Sequence, residues 1–372
     1  LGRALAEAGH EVHVITGQRE PEPAAPAAAP VRVHRAVARW DWGAWRAVGD
    51  LSRRLGLEIV DVQYQTAAYR LHPAINLLPW RLRRMGGPPA VVTFHDLLVP
   101  YLFPKAGPLR YQAVLTLARS SDGVIVTNRG DRAHLLAQKA LINLRHIPIG
   151  SNIQPEPPPD YDRAAWRDQH DFTPSDVVIG YFGFLNASKG IDTLLHSLHI
   201  LRGKGLPVKL LMIGGRTGTS DPANIIYARE VDEMIENLNL IDHVRWTGFV
   251  DNQAVSGYLM ASDLIALPYR DGVSFRRGSL MAALAHGCTI VTTNPIDELP
   301  ELVGDVHVRL VPPDSPTALA IALEDLADNP DLCAQMGRNA RQLAAEFTWE
   351  RIAAQTADYY RELIEQPQPQ QP

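Results

Sequence analysis

Short runs of aliphatic and β-branched residues recur along the chain and are separated by stretches with helical spacing. In the first half the runs are EVHVIT (11–16), VRVHRA (31–36), EIVDVQ (58–63), AVVTFH (90–95) and GVIVTN (123–128). Helical patterns lie between them at about 43–55, 73–85, 108–120 and 130–139, and the opening LGRALAEAGH reads as an amphipathic helix. Strands that are apolar throughout, alternating with helices, predict a parallel sheet covered on both faces. Five prolines between Pro148 and Pro159 can continue neither a helix nor a central strand, so the stretch 148–175 reads as an interdomain linker. The alternation then restarts with strands at 176–183, 209–214, 243–248, 263–268, 288–293 and 306–311. Helices are predicted from Lys189 and at about 224–239, 252–261, 278–286, 315–328, 330–345 and 349–365. The expected organisation is a first doubly wound domain (1–150), a linker (151–175), a second such domain (176–348), a last helix (349–365) crossing back to the first domain, and a disordered Gln/Pro tail (366–372). The run AAPAAAP (24–30) reads as a flexible loop.

Length and composition agree with this. A chain of 372 residues exceeds what one hydrophobic core supports, about 250–300 residues. With 46% hydrophobic and 21% charged residues it is neither disordered nor fibrous. The two cysteines, Cys288 and Cys333, make no disulfide framework and no zinc cluster, which points to a reducing, cytoplasmic setting. No apolar run is long enough to span a bilayer, and no leader-like segment opens the chain; the pattern starts in mid-unit at Leu1, as if a first strand and its turn were missing. The net charge of −5 is unevenly spread: residues 1–150 carry 19 Lys/Arg against 11 Asp/Glu, the rest 17 against 30. A basic first half suits an anionic partner. No nucleic-acid recognition motif is present, which leaves a phosphate-bearing acceptor, an anionic membrane face, or merely a solvated imbalance. LLPWRLRRMGG (77–87) sets Trp80 beside Arg81, Arg83 and Arg84, with Leu77, Leu78 and Leu82 at helical spacing. It reads either as an interfacial helix on the inner membrane face or as an ordinary surface helix packed on the sheet.

The candidate chemistry lies at helix starts. A helix N-terminus carries about +0.5 charge and favours acids in its first turn. Here Lys189 opens KGIDTLLHSL, and Arg276 and Arg277 immediately precede GSLMAALAHG, whose start is Gly278 and Ser279. Free N–H groups with added cations would bind an anion such as a diphosphate, unless the side chains simply reach solvent or a carboxylate. Gly183, Gly190, Gly214, Gly215, Gly278 and Gly287 fall at strand–helix junctions, where they allow close backbone approach or serve as caps. IGGRTG is not the dinucleotide fingerprint. His95 and Asp96 end a strand at the edge where doubly wound sheets place ligands; the histidine either serves a ligand or caps a turn. No GxSxG elbow, HExxH or P-loop lysine motif occurs, and no metal site is apparent.

These residues resemble a known family. LGRALAEAGHEVHVIT, VVTFHD, IPIG, YFGFLNASKGIDTLLHSLHIL, LLMIGG and the segment from VRWTGFVDNQAVSGYLMASDLIALPYRDGVSFRRGSL to CTIVTT are similar to the family-4 (group 1) nucleotide-sugar glycosyltransferases, over nearly the whole chain. The resemblance implies the GT-B fold, two Rossmann-like α/β domains facing a cleft. It implies retaining transfer of a sugar from a nucleoside diphosphate donor, without a metal or other cofactor, to a polysaccharide, glycolipid or small metabolite, as in cell-envelope assembly. By the family pattern Lys189, Arg276, Arg277, Gly278 and Ser279 would hold the diphosphate. His95 and Asp96 would serve catalysis, and Asp271, Gly272, Ser274, Gly214, Gly215 and Phe249 would line the sugar and nucleotide. Three departures stand out. Phe184 occupies the place of a common arginine, Ser274 and Ala282 replace a glutamate pair, and the first strand with its glycine turn is missing. A catalytically silent GT-B relative that binds a nucleotide or a protein is the alternative reading, and an epimerase on the same architecture a more distant one.

Overall fold

The computed structural model describes residues 1–18, 30–65, 68–69, 72–97, 107–137, 143–216 and 222–365. Most of the loop 24–30 and the whole tail 366–372 lie outside the described residues. The chain forms two compact units, one of Leu1–Ile149 with Trp349–Pro372, the other of Gly150–Thr348.

The first unit opens with α1 (Gly2–Glu7), β1 (Val12–Gly17), β2 (Val31–Val37), α2 (Ala44–Leu55) and β3 (Val60–Tyr64). It continues with α3 (Leu78–Arg84), β4 (Ala90–Phe94), α4 (Gly107–Ser120), β5 (Gly123–Val126), α5 (Arg129–Leu136) and β6 (Leu144–His146). All its strand pairs are parallel, but they make two sheets, β1-β2 and β3-β4-β5-β6. The neighbouring stretches of β1 and β3 line a cavity of about 800 Å³. Every residue of β4 and β5 is buried, as their unbroken apolar runs require. Val92, Phe94, Val124 and Val126 pack on one face with Leu82 and Leu117. The β6 segment is only three residues long and merges with the proline run, so the periodicity does not reveal it. The predicted helix 73–85 is shorter and begins as a 3₁₀ turn, Ile75–Leu77.

The second unit holds α6 (Arg163–Asp168), β7 (Val177–Phe182), α7 (Ile191–Gly203), β8 (Val208–Ile213), α8 (Pro222–Asn237), β9 (Val244–Trp246), α9 (Asn252–Ala261) and β10 (Leu264–Leu267). After these come α10 (Gly278–His286), β11 (Ile290–Thr293), β12 (Arg309–Val311), α11 (Pro316–Ala327) and α12 (Pro330–Ala344). Its six parallel strands run in the order β12-β11-β10-β7-β8-β9, the doubly wound arrangement.

The segment read as a linker is not one throughout. Residues 148–161 lack helix and strand, as their prolines dictate, but Ile153 and Phe172 are buried in the second unit's core. Asp162 caps α6 by accepting the Ala165 N–H at 2.8 Å, and the Arg167 side chain, 8% exposed, ion-pairs with Asp263 at 3.1 Å. Asp263 also accepts the Val178 N–H at 2.7 Å, which fastens this segment to β7.

The last helix, α13 (Trp349–Glu365), belongs to the first unit. Its Ile352, Tyr359 and Leu363 cover Val91 and Ile125 on the second face of the sheet. Full burial of each aliphatic side chain there contributes about 1.5–3 kcal/mol. The Tyr359 hydroxyl accepts the Val124 N–H at 3.1 Å and donates to the Asn143 carbonyl at 2.8 Å, which pins the helix over β5.

Candidate active site

In the second unit the winding reverses between β7 and β10, and open α/β sheets bind ligands outside the carboxyl ends of their strands at such a point. The chain leaves β7 through Gly183 at φ 136°. Asn186 then accepts the Ser188 N–H at 2.9 Å and caps a 3₁₀ turn, Ala187–Lys189, which ends at Gly190 with φ 66°. Gly190 tolerates no side chain, because a Cβ would overlap the Pro268 carbonyl beyond β10. This turn carries Lys189 back to the strand end, where its Nζ sits 2.7 Å from the point a Gly183 Cβ would occupy. Lys189 therefore does not open the helix. α7 starts at Ile191 with Asp192 in its first turn, the ordinary acidic preference, and Asp192 is ion-paired to Arg270.

Beyond β10, Tyr269 is fully buried and its hydroxyl bonds to Ser279 Oγ at 2.7 Å. The Arg277 guanidinium lies 4.7 Å above the Tyr269 ring and is ion-paired with Asp271. Gly272, at φ 73°, has no room for a side chain, since a Cβ would lie 2.8 Å from the Asn294 carbonyl. Arg277 is the N-cap residue of α10, and its own side chain does not cap that helix. Gly278 beside it is exposed, with open space where a Cβ would stand. The Leu280 N–H is taken by the Tyr269 hydroxyl.

Burial and, after it, the Arg277 charge together push the Lys189 ammonium down to about 8. Two cations thus share a partly dehydrated corner at the start of α10, the arrangement that an anion relieves. The structure brings Lys189, Arg277, Gly278 and Ser279 together. Arg276 is half-buried and makes an interaction of its own within the protein, and the charge that acts on Lys189 is that of Arg277. Tyr269 is the residue that sequence reasoning missed, because its role depends on a hydroxyl reaching Ser279 across the turn. Asp271 is committed to Arg277, Ser274 is half-buried, and Ala282 is fully buried within α10.

Gly214 follows β8, and its N–H donates to Thr247 Oγ1 at 3.0 Å. A Cβ on Gly215 would stand 3.4 Å from the Phe184 ring and 3.8 Å from Phe249. Phe184 and Phe249 are 41% and 84% exposed, so two aromatic groups flank a bare stretch of backbone at the adjacent strand ends.

In the first unit His95 follows β4, its N–H donating to the Tyr64 carbonyl at 3.1 Å and its Nε2 lying 3.0 Å from Gln63 Oε1. Burial lowers its pKa, against the opposing charges of Asp61 and Asp96. Asp96 is half-buried and engaged with neighbouring groups. On the same unit Arg84 stacks 5.2 Å from the Trp80 ring and Arg81 lies 5.9 Å from Trp45, while Arg83 is bonded to Asp122. Trp42 and Trp80 are 49% and 39% exposed. Among the described residues no helix is long and apolar enough to cross a membrane.

The chain is similar to known proteins over both units. Residues 162–343 match the family described as glycosyl transferases group 1, and residues 1–150 match the glycosyl transferase 4-like domain. The D-inositol 3-phosphate glycosyltransferase of Streptomyces coelicolor is 29% identical over 195 residues, 52% of this chain and 42% of that protein. The chain spans about half the length, or less, of these curated relatives. Among solved structures, sucrose-phosphate synthase from Thermosynechococcus elongatus superposes with a TM-score of 0.75 at 21% identity, covering 98% of this chain and 92% of that one. Anabaena Alr3699/HepE in complex with UDP gives 0.71 at 20% identity, covering 90% and 87%. These likenesses establish the GT-B fold, with two Rossmann-like units of parallel sheet. With its first 150 residues matching the 4-like domain and most of the second unit matching the group 1 domain, this chain belongs to the group 1, family-4 glycosyltransferases.

Proposed function

We propose that the chain transfers a sugar from a nucleoside diphosphate sugar, with UDP as the nucleotide, to an acceptor, with retention of anomeric configuration and without a metal. The observation that carries this reading is the meeting of Lys189 and Arg277 at the start of α10. As the glycosidic bond breaks, the leaving diphosphate gains negative charge. Fixed cations and helix N–H groups then stabilise the transition state more than the bound donor. Phe184 and Phe249, on either side of Gly215, offer apolar faces to the nucleoside or sugar. The HepE structures containing UDP and UDP-glucose support the choice of nucleotide. The acceptor is assigned to the first unit, with His95 and Asp96 serving the transferred sugar. The test is product formation from UDP-glucose, UDP-galactose and UDP-N-acetylglucosamine in the presence of EDTA, with the anomer read by NMR. An α-linked product with undiminished rate supports the proposal, whereas inversion or EDTA sensitivity counts against its finer parts.

The alternative, a silent relative, draws on two observations: Asp271 already occupies Arg277, and Ser274 and Ala282 supply no carboxylates. UDP binding with no turnover or donor hydrolysis would favour it.

The Trp42–Trp80 face with Arg81 and Arg84 is proposed to rest on an anionic membrane, where aromatic rings sit at headgroup level and each Arg contributes about 1 kcal/mol. The protein is expected to float with phosphatidylglycerol vesicles but not with phosphatidylcholine, and the Arg81→Ala/Arg84→Ala pair to lose most of that flotation. Equal flotation of parent and double variant removes this surface from consideration.

A further inference from the structure

His95 stands at the end of a chain of hydrogen bonds whose polarity is determined at its far end. Asp61 and Gln63, two apart on β3, project to the same side of the strand, and β3 pairs with β4 so that Gln63 lies opposite Thr93, two residues before His95. The Asp61 carboxylate accepts Thr93 Oγ1–H at 2.8 Å, the Tyr360 hydroxyl of α13, and Gln63 Nε2–H at 2.8 Å. Burial raises the Asp61 pKa, while these three donors and the nearby His95 act against the rise. Gln63 has one donor end and one acceptor end. With its NH₂ turned to the carboxylate, its Oε1 is the end that faces His95 Nε2, 3.0 Å away. An amide oxygen accepts only, so a neutral imidazole must carry its proton on Nε2. Nδ1 then holds the lone pair.

We propose that Asp61 and Gln63 are positioning residues that hold His95 in the Nε2–H tautomer with its ring orientation fixed, so that Nδ1 is the atom available to accept a hydroxyl proton or hydrogen bond. Asp61 orients the amide and the amide orients the ring, as outer-shell carboxylates do for imidazoles elsewhere. The charged groups acting on His95 are Asp61 on β3 and Asp96 just beyond β4; its burial favours the neutral ring on which the tautomer matters. The inference rests on the proposed function only in supposing that His95 takes part in transfer.

The test has two readouts. In protein labelled with [15N]histidine, long-range proton–nitrogen spectra at pH 8 should show His95 wholly as the Nε2–H form. Gln63→Leu should give averaged nitrogen shifts, as in a freely exchanging imidazole. Asp61→Asn should broaden the tautomer distribution without altering the fold seen by circular dichroism. Identical His95 shifts in the parent, Gln63→Leu and Asp61→Asn would overturn the proposal. The second readout is kinetic: Gln63→Leu should lower kcat about 10–100-fold at unchanged donor KM. A tautomer change without a kcat change would leave the positioning intact and remove His95 from the reaction, so the two failures are distinguishable.

Discussion

Replacing Lys189 by Ala is expected to weaken UDP binding about 30-fold, measured by calorimetry at pH 7. A hydrogen bond to a charged group contributes about 1.5–3 kcal/mol, and about 2 kcal/mol corresponds to that ratio. Lys189 ends a 3₁₀ turn on the surface side of the second unit's core, so its removal should leave the melting temperature nearly unchanged. The pH dependence has a definite sign. In the free protein burial and the Arg277 charge bring Lys189 down to about 8. A bound diphosphate raises that value, so binding draws the proton back on whenever the free ammonium has lost it. Affinity should therefore be flat below pH 7 and fall as pH rises through 8, by at most tenfold per unit. Lys189→Arg, whose guanidinium stays protonated, should flatten the alkaline fall. An alkaline limb that persists in the arginine variant would assign it to another group.

Gly190→Ala should have the largest effect on folding. The residue sits at φ 66°, and its missing side chain is the space filled by the Pro268 carbonyl. A left-handed non-glycine residue costs about 1–2 kcal/mol, and forcing backbone atoms apart in a packed region adds about 1–3 kcal/mol. A loss near 3 kcal/mol, or roughly 6–12 °C in melting temperature for a unit of this size, is expected in differential scanning calorimetry. Gly183→Ala is a useful contrast. There the nearest atom to a new Cβ is Lys189 Nζ, the far end of a flexible side chain, so the steric part of the cost falls on the position of the ammonium. UDP affinity should suffer more in that variant than stability does relative to Gly190→Ala. Equal melting temperatures for Gly190→Ala and the parent would contradict the close packing of the turn against β10.

Much of this organisation was legible because it rests on local pattern. Fully apolar runs such as VVIGYF and LIAL become central strands buried on both faces, and their alternation with helices fixes a parallel sheet. What escaped reading depends on contacts remote in sequence. The proline run between Pro148 and Pro159 correctly forbids regular structure, but Ile153, Arg167 and Phe172 attach the surrounding segment to the second unit through partners that the local pattern does not disclose. The β6 strand is too short to show a period. At the site, the positive charges before α10 were visible, yet their division was not. Arg277 folds back over Tyr269 toward Asp271, Arg270 pairs with Asp192 and Asp314, and Lys189 stops two residues short of α7 because Gly190 turns left-handed. Side-chain reach across a turn decides these pairings, and spacing alone does not encode it. The same holds in the first unit, where His95 was legible from its place after a strand while Gln63 and Asp61 were not, since their role depends on the register of β3 with β4.

The central claim is that the corner at the start of α10 recognises the diphosphate rather than the base or sugar. Calorimetric titration of the unsubstituted protein with UDP and with uridine, side by side at pH 7, tests it most directly. UDP should bind at least about 100-fold more tightly than uridine, from two or more charge-assisted contacts; equal affinities would mean that Lys189 and Arg277 do not form a phosphate site.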